Sequence, residues 1–144
     1  MKRLILLFVL TVIFGVALKA QWGYRTEYKT LDGVIILYKY AHEKMFDKTS
    51  PINLRIKIKN TNDYPVEVSF RIMMESGFTD IKQSEMVDIC IPKKLARSGK
   101  LHGLNFETGV NDVSLFEKNE IEWYMEPLSI EKSDKCIQLQ SDDE

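Results

Sequence analysis

The chain has 144 residues with 20 basic and 21 acidic side chains, a formal charge of −1 with neutral histidines, and a hydrophobic content of 44%. That balance fits one domain of ordinary size and argues against a nucleic-acid partner, because phosphate binding needs clustered Lys and Arg. A chain of this length buries roughly two-thirds of its unfolded surface on folding, so it needs neither a structural metal nor a dense set of disulfides.

The first 20 residues read as an export signal. Lys2 and Arg3 form a short positive region, Leu4 to Leu18 is an apolar run broken only by Thr11 and Gly15, and small Ala20 precedes Gln21. This three-part pattern is that of a secretory signal peptide, and the run is shorter than the ~20 residues a spanning helix needs. No cysteine follows the run, which excludes the usual bacterial lipoprotein attachment. Residues 1–20 are therefore expected to be a cleaved signal helix, with an uncleaved signal-anchor as the rival. The exported chain, secreted or periplasmic and part of the cell envelope, would lose Lys2, Arg3 and Lys19 and no acid. Its charge would be about −4.

Beyond the leader, Gln21 to Thr30 carries Trp22, Tyr24 and Tyr28 among polar residues and suits a short edge strand. Leu31-Asp32-Gly33 is a turn signal. Val34 to Tyr40 is almost entirely aliphatic, β-branched or aromatic, as in a central strand covered on both faces. Ala41 to Pro51 is a polar connection. The clearest pattern follows. Ile52, Leu54, Ile56 and Ile58 alternate with Asn53, Arg55, Lys57 and Lys59; Val66, Val68, Phe70, Ile72 and Met74 alternate with Glu67, Ser69 and Arg71. Period two puts one apolar and one solvated face on each arm. The intervening Asn60-Thr61-Asn62-Asp63-Tyr64-Pro65 is a turn, so the stretch reads as an antiparallel hairpin.

Ser76 to Asp80 is read as a loop and Glu85 to Ile91 as a strand stopped by Pro92, with Cys90 on the face away from the core. Pro92 to Lys100 is read as a basic loop, and Leu101 to Thr108 as a weaker strand with Leu104 and Phe106 on one face. Glu120 to Glu126 alternates with Ile121, Trp123 and Met125 inward, and Pro127 is expected to end it. Leu128 to Leu139 adds a final short strand, and residues 141–144 form a frayed acidic tail.

Seven or eight short strands, turn signals at short spacing and no amphipathic helix indicate an all-β fold. The expected domain is one antiparallel β-sandwich spanning residues 21–140. In outline this resembles immunoglobulin-like and fibronectin-III-like sandwiches. Trp123, however, lies 33 residues after Cys90 and 13 before Cys136, unlike the immunoglobulin spacing. An even cysteine count in an exported chain favours a Cys90–Cys136 disulfide, which would fasten a C-terminal strand.

Chemistry-bearing patterns are few. A Cys–His nucleophile from Cys90 or Cys136 with His42 or His102 competes with the disulfide, which leaves no thiolate. There is no GxSxG elbow, and the two histidines lack ligand spacing. Residues 60–63 resemble a calcium loop only faintly, without its glycine or later acidic ligand. Paired carboxylates are available, but a glycosidase cleft usually needs a larger scaffold. Two groups suit surface recognition instead: the cations Lys93, Lys94, Arg97 and Lys100, and aromatics including Tyr64 and Tyr124. The expectation is a small exported, non-catalytic binding or structural module. It needs no metal or other cofactor, has no membrane span after signal cleavage, and contacts an envelope protein or glycan through Tyr64, Lys93, Lys94, Arg97 and Lys100. The alternatives are an exported hydrolase or thiol-based enzyme and a signal-anchored envelope component.

Overall fold

In the computed structural model, residues 23–77 and 79–136 are described; the leader, Trp22 and the acidic tail lie outside them. Alternation of apolar and polar side chains yields nine strands. They are β1 (Thr26–Leu31), β2 (Val34–His42), β3 (Ile52–Asn60), β4 (Val66–Ser76), β5 (Thr79–Gln83), β6 (Val87–Ile91), β7 (Ala96–Ser98), β8 (Asn105–Glu107) and β9 (Glu122–Lys132). A 3-10 turn at Lys100–His102 and a one-turn helix α1 (Ser114–Glu117) interrupt them.

The strands form two antiparallel sheets. In the first, β1, β2 and β3 are consecutive, and the far side of β3 is shared by β7 and β8. In the second, β4 is central, with β9 on one side and the short β5 and β6 on the other. The fold is an all-β sandwich.

β3 and β4 do not pair with one another, which corrects the expected hairpin. The turn at 61–65 carries the chain from one sheet into the other, and each arm turns its apolar face to the opposite sheet. Ile52, Leu54, Ile56 and Ile58 on one side and Val66, Val68, Phe70, Ile72 and Met74 on the other are all buried. Burying such a side chain is worth about 1.5–3 kcal/mol, so these nine are the largest stabilising group in the fold. A true hairpin would have left both faces in need of another cover.

Five other expectations need correction. β2 is half-buried on its outer face, with only Val34 and Ile36 fully enclosed, so it is not covered on both sides. Thr79 and Asp80 belong to strand β5 rather than to a loop. Ala96–Ser98 forms strand β7 inside the presumed basic loop, paired with Lys57–Lys59. Leu101 lies in the 3-10 turn, so the weaker strand shrinks to β8. Finally, β9 runs through Pro127 as one strand of 11 residues. It pairs with β4 alone, and proline, having no N–H, is tolerated on an edge strand. A register shift opposite Phe70–Ile72 changes the inward set from Trp123 and Met125 to Leu128 and Ile130.

At the open side between β1–β2 and β9, aromatic side chains close the sandwich. A bulge in β1 omits Tyr28 from the ladder, and its ring stacks on Trp123 at 4.6 Å. Tyr38 meets the same indole edge-on, Tyr40 stacks on Phe116, and Trp123 Nε1 donates to the Tyr40 hydroxyl at 2.9 Å. Burial, opposed by that hydrogen bond, pushes the Tyr40 phenol up to about 12.

Candidate functional site

The strongest candidate begins with Asn60, the last residue of β3. It is fully buried, and its Nδ2 donates to the carbonyls of Tyr64, Ile91 and Pro92 at 2.8, 3.1 and 3.3 Å, while its Oδ1 accepts from Asn62 N–H at 2.9 Å. One side chain thus latches the β3–β4 turn to the segment leaving β6. The β1–β2 turn is latched too. Leu31 and Val34 pair around Asp32-Gly33, both at positive φ, the backbone that favours glycine. Thr61 Oγ1 donates to Gly33 O at 2.6 Å and Asn62 Nδ2 to Asp32 O at 2.8 Å. A Cβ on Gly33 would collide with the Asn62 side chain.

Against this rigid corner lies the disulfide. Cys90 in β6 is bonded to Cys136, with Cα atoms 5.4 Å apart, and ties down the segment that follows β9. Both members of the second sheet's flanks are thereby held together, as the spacing anticipated. Pairing with Val66 places Lys132, and the bond places Lys135, beside Lys93, Arg97 and Tyr64, and together they line an open cleft of about 770 Å³. Lys132 Nζ sits 5.0 Å from the centre of the Tyr64 ring.

Two carboxylates also face this cleft, Asp63 and Asp134. Asp63 is engaged by Lys94 at 3.1 Å. Among the described residues, no carboxylate comes within 4.0 Å of Lys93, Arg97, Lys132 or Lys135. His102 donates from Nδ1 to Ser98 O, which leaves Nε2 to accept from Arg97 Nη1 at 3.4 Å and aims the guanidinium. Such an arrangement suits an anionic group carried on a flat or apolar body.

Of the five expected surface residues, Tyr64, Lys93 and Arg97 converge here. Lys94 does not: it takes a left-handed backbone, its Nζ donates to Thr61 O at 2.7 Å, and it serves the corner rather than the cleft. Lys100 lies apart, on a second cleft over the outer face of the first sheet. Lys132 and Lys135 had no sequence signal, being some forty residues from the basic run; only the Cys90–Cys136 pairing hinted at the neighbourhood. Tyr124 donates to the Glu75 carboxylate from an outward position on β9. His42 and His102 bond different carbonyls, those of Ser50 and Ser98. Among the described residues there is no group of three or more potential metal ligands, and no helix is long and apolar enough to cross a membrane. The chain matches no family model, curated protein or solved structure.

Proposed function

We propose that the protein is a small exported, non-catalytic β-sandwich module of the cell envelope or extracellular space that binds an acidic glycan. The observation that carries this reading is the convergence of Lys93, Arg97, Lys132 and Lys135 around Tyr64 on a corner held by Asn60 and the disulfide. A carboxylate or sulfate group meets cations that no carboxylate among the described residues engages, and a sugar ring finds the Tyr64 side chain. Preorganisation by the corner lowers the ordering cost of binding. The disulfide supports an oxidising compartment. It also occupies both sulfurs, which weakens the thiol-enzyme alternative.

Calorimetric titration with polygalacturonate and with a neutral glucan at low salt tests the reading. Binding to the acidic polymer alone is expected, weakened about tenfold by Lys93→Gln with Lys135→Gln and weakened again as salt screens the charges. Equal binding of the neutral polymer, or an undiminished double variant, would sink it.

A further inference from the structure

At the opposite end of β3 the outer face of the first sheet is built differently. Lys39 pairs with Arg55 and Ala41 with Asn53 across β2 and β3, and Lys57 and Lys59 continue the same outward row. The Tyr24 ring lies over this row, 4.9 Å from Lys39 Nζ and 6.0 Å from Lys57 Nζ. Beside it opens a cleft of about 510 Å³ whose cations are Lys39, Lys44, Arg55 and Lys100 and whose acids are Glu43 and Glu107. Glu107 reaches Lys82, at 4.0 Å, and among the described residues none of the four cations has a carboxylate within that distance.

Two polar groups lining this cleft are unsatisfied. Asn53 is 4% exposed, and its Oδ1 has no hydrogen-bond partner; Arg55 Nε is equally shut off and unpartnered, while Nη2 makes a long 3.3 Å bond to His42 O. The unpartnered Arg55 Nε is a donor whose cost an incoming acceptor can cancel, whereas Asn53 Oδ1, itself an acceptor, gains nothing from a phosphate. Large apolar side chains stand next to the same cleft in sequence. Phe46, two residues from Lys44, is 96% exposed, Met45 is 70% exposed, and Leu101, adjacent to Lys100, is 96% exposed.

We propose that this face docks on an anionic lipid surface, with Lys39, Lys44, Arg55 and Lys100 receiving headgroup phosphates while Phe46 and Leu101 enter the interface. A soluble acidic sugar would satisfy the cations and leave Phe46 and Leu101 in water; a lipid surface takes both. Weak apolar insertion and a basic patch are individually marginal and together suffice for stable peripheral binding. Arg55 meets a phosphate oxygen after a rotamer change that gives up its long bond to His42. This docking is independent of the glycan reading, because it uses the other end of β3.

Vesicle co-sedimentation tests it, using the chain as isolated with phosphatidylcholine alone and with phosphatidylcholine mixed with phosphatidylglycerol. Preferential binding to the anionic vesicles is expected. It should fall about tenfold for Phe46→Ala with Leu101→Ala and by a similar factor for Lys39→Gln with Lys100→Gln. Lys93→Gln with Lys135→Gln, at the other cleft, should leave it unchanged. Whatever part of the N-terminal leader the isolated chain keeps is common to every variant, and Phe46→Trp reports on the face itself through a blue shift of emission on anionic vesicles. No shift at that tryptophan, or parent-like binding by both the apolar and the cationic pairs, overturns the proposal. So does a fall in polygalacturonate binding for Lys39→Gln with Lys100→Gln measured on the Lys93→Gln, Lys135→Gln background, which would assign this face to a glycan. The apolar pair is fully exposed, so the test stands even where Lys39→Gln unfolds the chain.

Discussion

Strand β3 carries a buried asparagine near each end, and the two are in opposite states. Asn60 is enclosed with its amide bonded to three carbonyls and one N–H, and it latches the β3–β4 turn to the segment leaving β6. Asn53, one residue into the strand at the other end, is almost as enclosed, yet its Oδ1 has no partner, and neither has the neighbouring Arg55 Nε. Identical chemistry on one strand therefore does two jobs. A satisfied buried amide specifies architecture, because breaking its network leaves several groups desolvated and unpaired. An unsatisfied one weakens the free protein, because its desolvation is not repaid by any hydrogen bond.

The largest test of this contrast is the disulfide that closes the Asn60 corner. Cys90→Ser with Cys136→Ser should cost about 4 kcal/mol in urea unfolding, from the loop-closure entropy of a separation of 46 residues. It should also weaken acidic-glycan binding, by no more than about tenfold, by releasing Lys135, while vesicle binding at the Asn53 end survives in the folded fraction. Loss of both bindings in the folded fraction would show that the two ends are not separate sites.

Asn60→Ala comes next. Removing a fully bonded buried amide should cost about 2–3 kcal/mol and, by unlatching the Tyr64 and Lys93 segments, weaken glycan binding as well. Chemical denaturation alongside titration reads both effects, and an intact corner in this variant would break the comparison.

Tyr40, which pairs with Leu54 near the Asn53 end, supplies the pH test. Its phenol is raised to about 12 in the folded state from an ordinary 10.0, chiefly by burial. The folded protein therefore holds a proton that the unfolded chain gives up, so this contribution is complete below about pH 10 and is lost as pH rises toward about 12. Because the ring is only half-buried, screening reduces the effect to about 1–2 kcal/mol. Tyr40→Phe should flatten that alkaline decline relative to the parent; an identical decline in both would remove Tyr40 as its source.

Asn53→Leu is expected to have the smallest effect. Replacing an unpaired buried acceptor by an apolar side chain of similar size should leave stability unchanged or raise it by up to about 1 kcal/mol. Thermal unfolding is sufficient to measure this. A loss as large as that of Asn60→Ala would erase the distinction between the two ends.

How far these sites were legible depended on whether their cause was local. Tyr64, Lys93 and Arg97 lie near turn and loop signals in the sequence, and the Cys90–Cys136 pairing follows from cysteine count and export. That Lys94 turns to Asp63 and Thr61 was not legible, because those partners lie some thirty residues away in the chain. Lys132 and Lys135 carried no local signal because the pairing of Lys132 with Val66 across β4 and β9, and the disulfide beyond it, deliver them rather than proximity in the chain. Asn60 looked like an ordinary turn former, since nothing local distinguishes an amide that caps its own turn from one that reaches carbonyls some thirty residues away. Tyr28 reaches Trp123 only because a bulge takes it out of the β1 ladder.

The sequence by itself determined that the chain is all-β and which face of β3, β4, β6 and the part of β9 before Pro127 turns inward, because side-chain alternation is a local property of extended backbone. Only the tertiary structure decided which strands pair. β3 and β4 each carry one apolar face, and those faces can be covered either by a third element or by one another. Alternation is the same in both cases. Facing them across the core buries both sets at once, and that global saving in exposed apolar surface, invisible in any single segment, turns the expected hairpin into the crossing between two sheets.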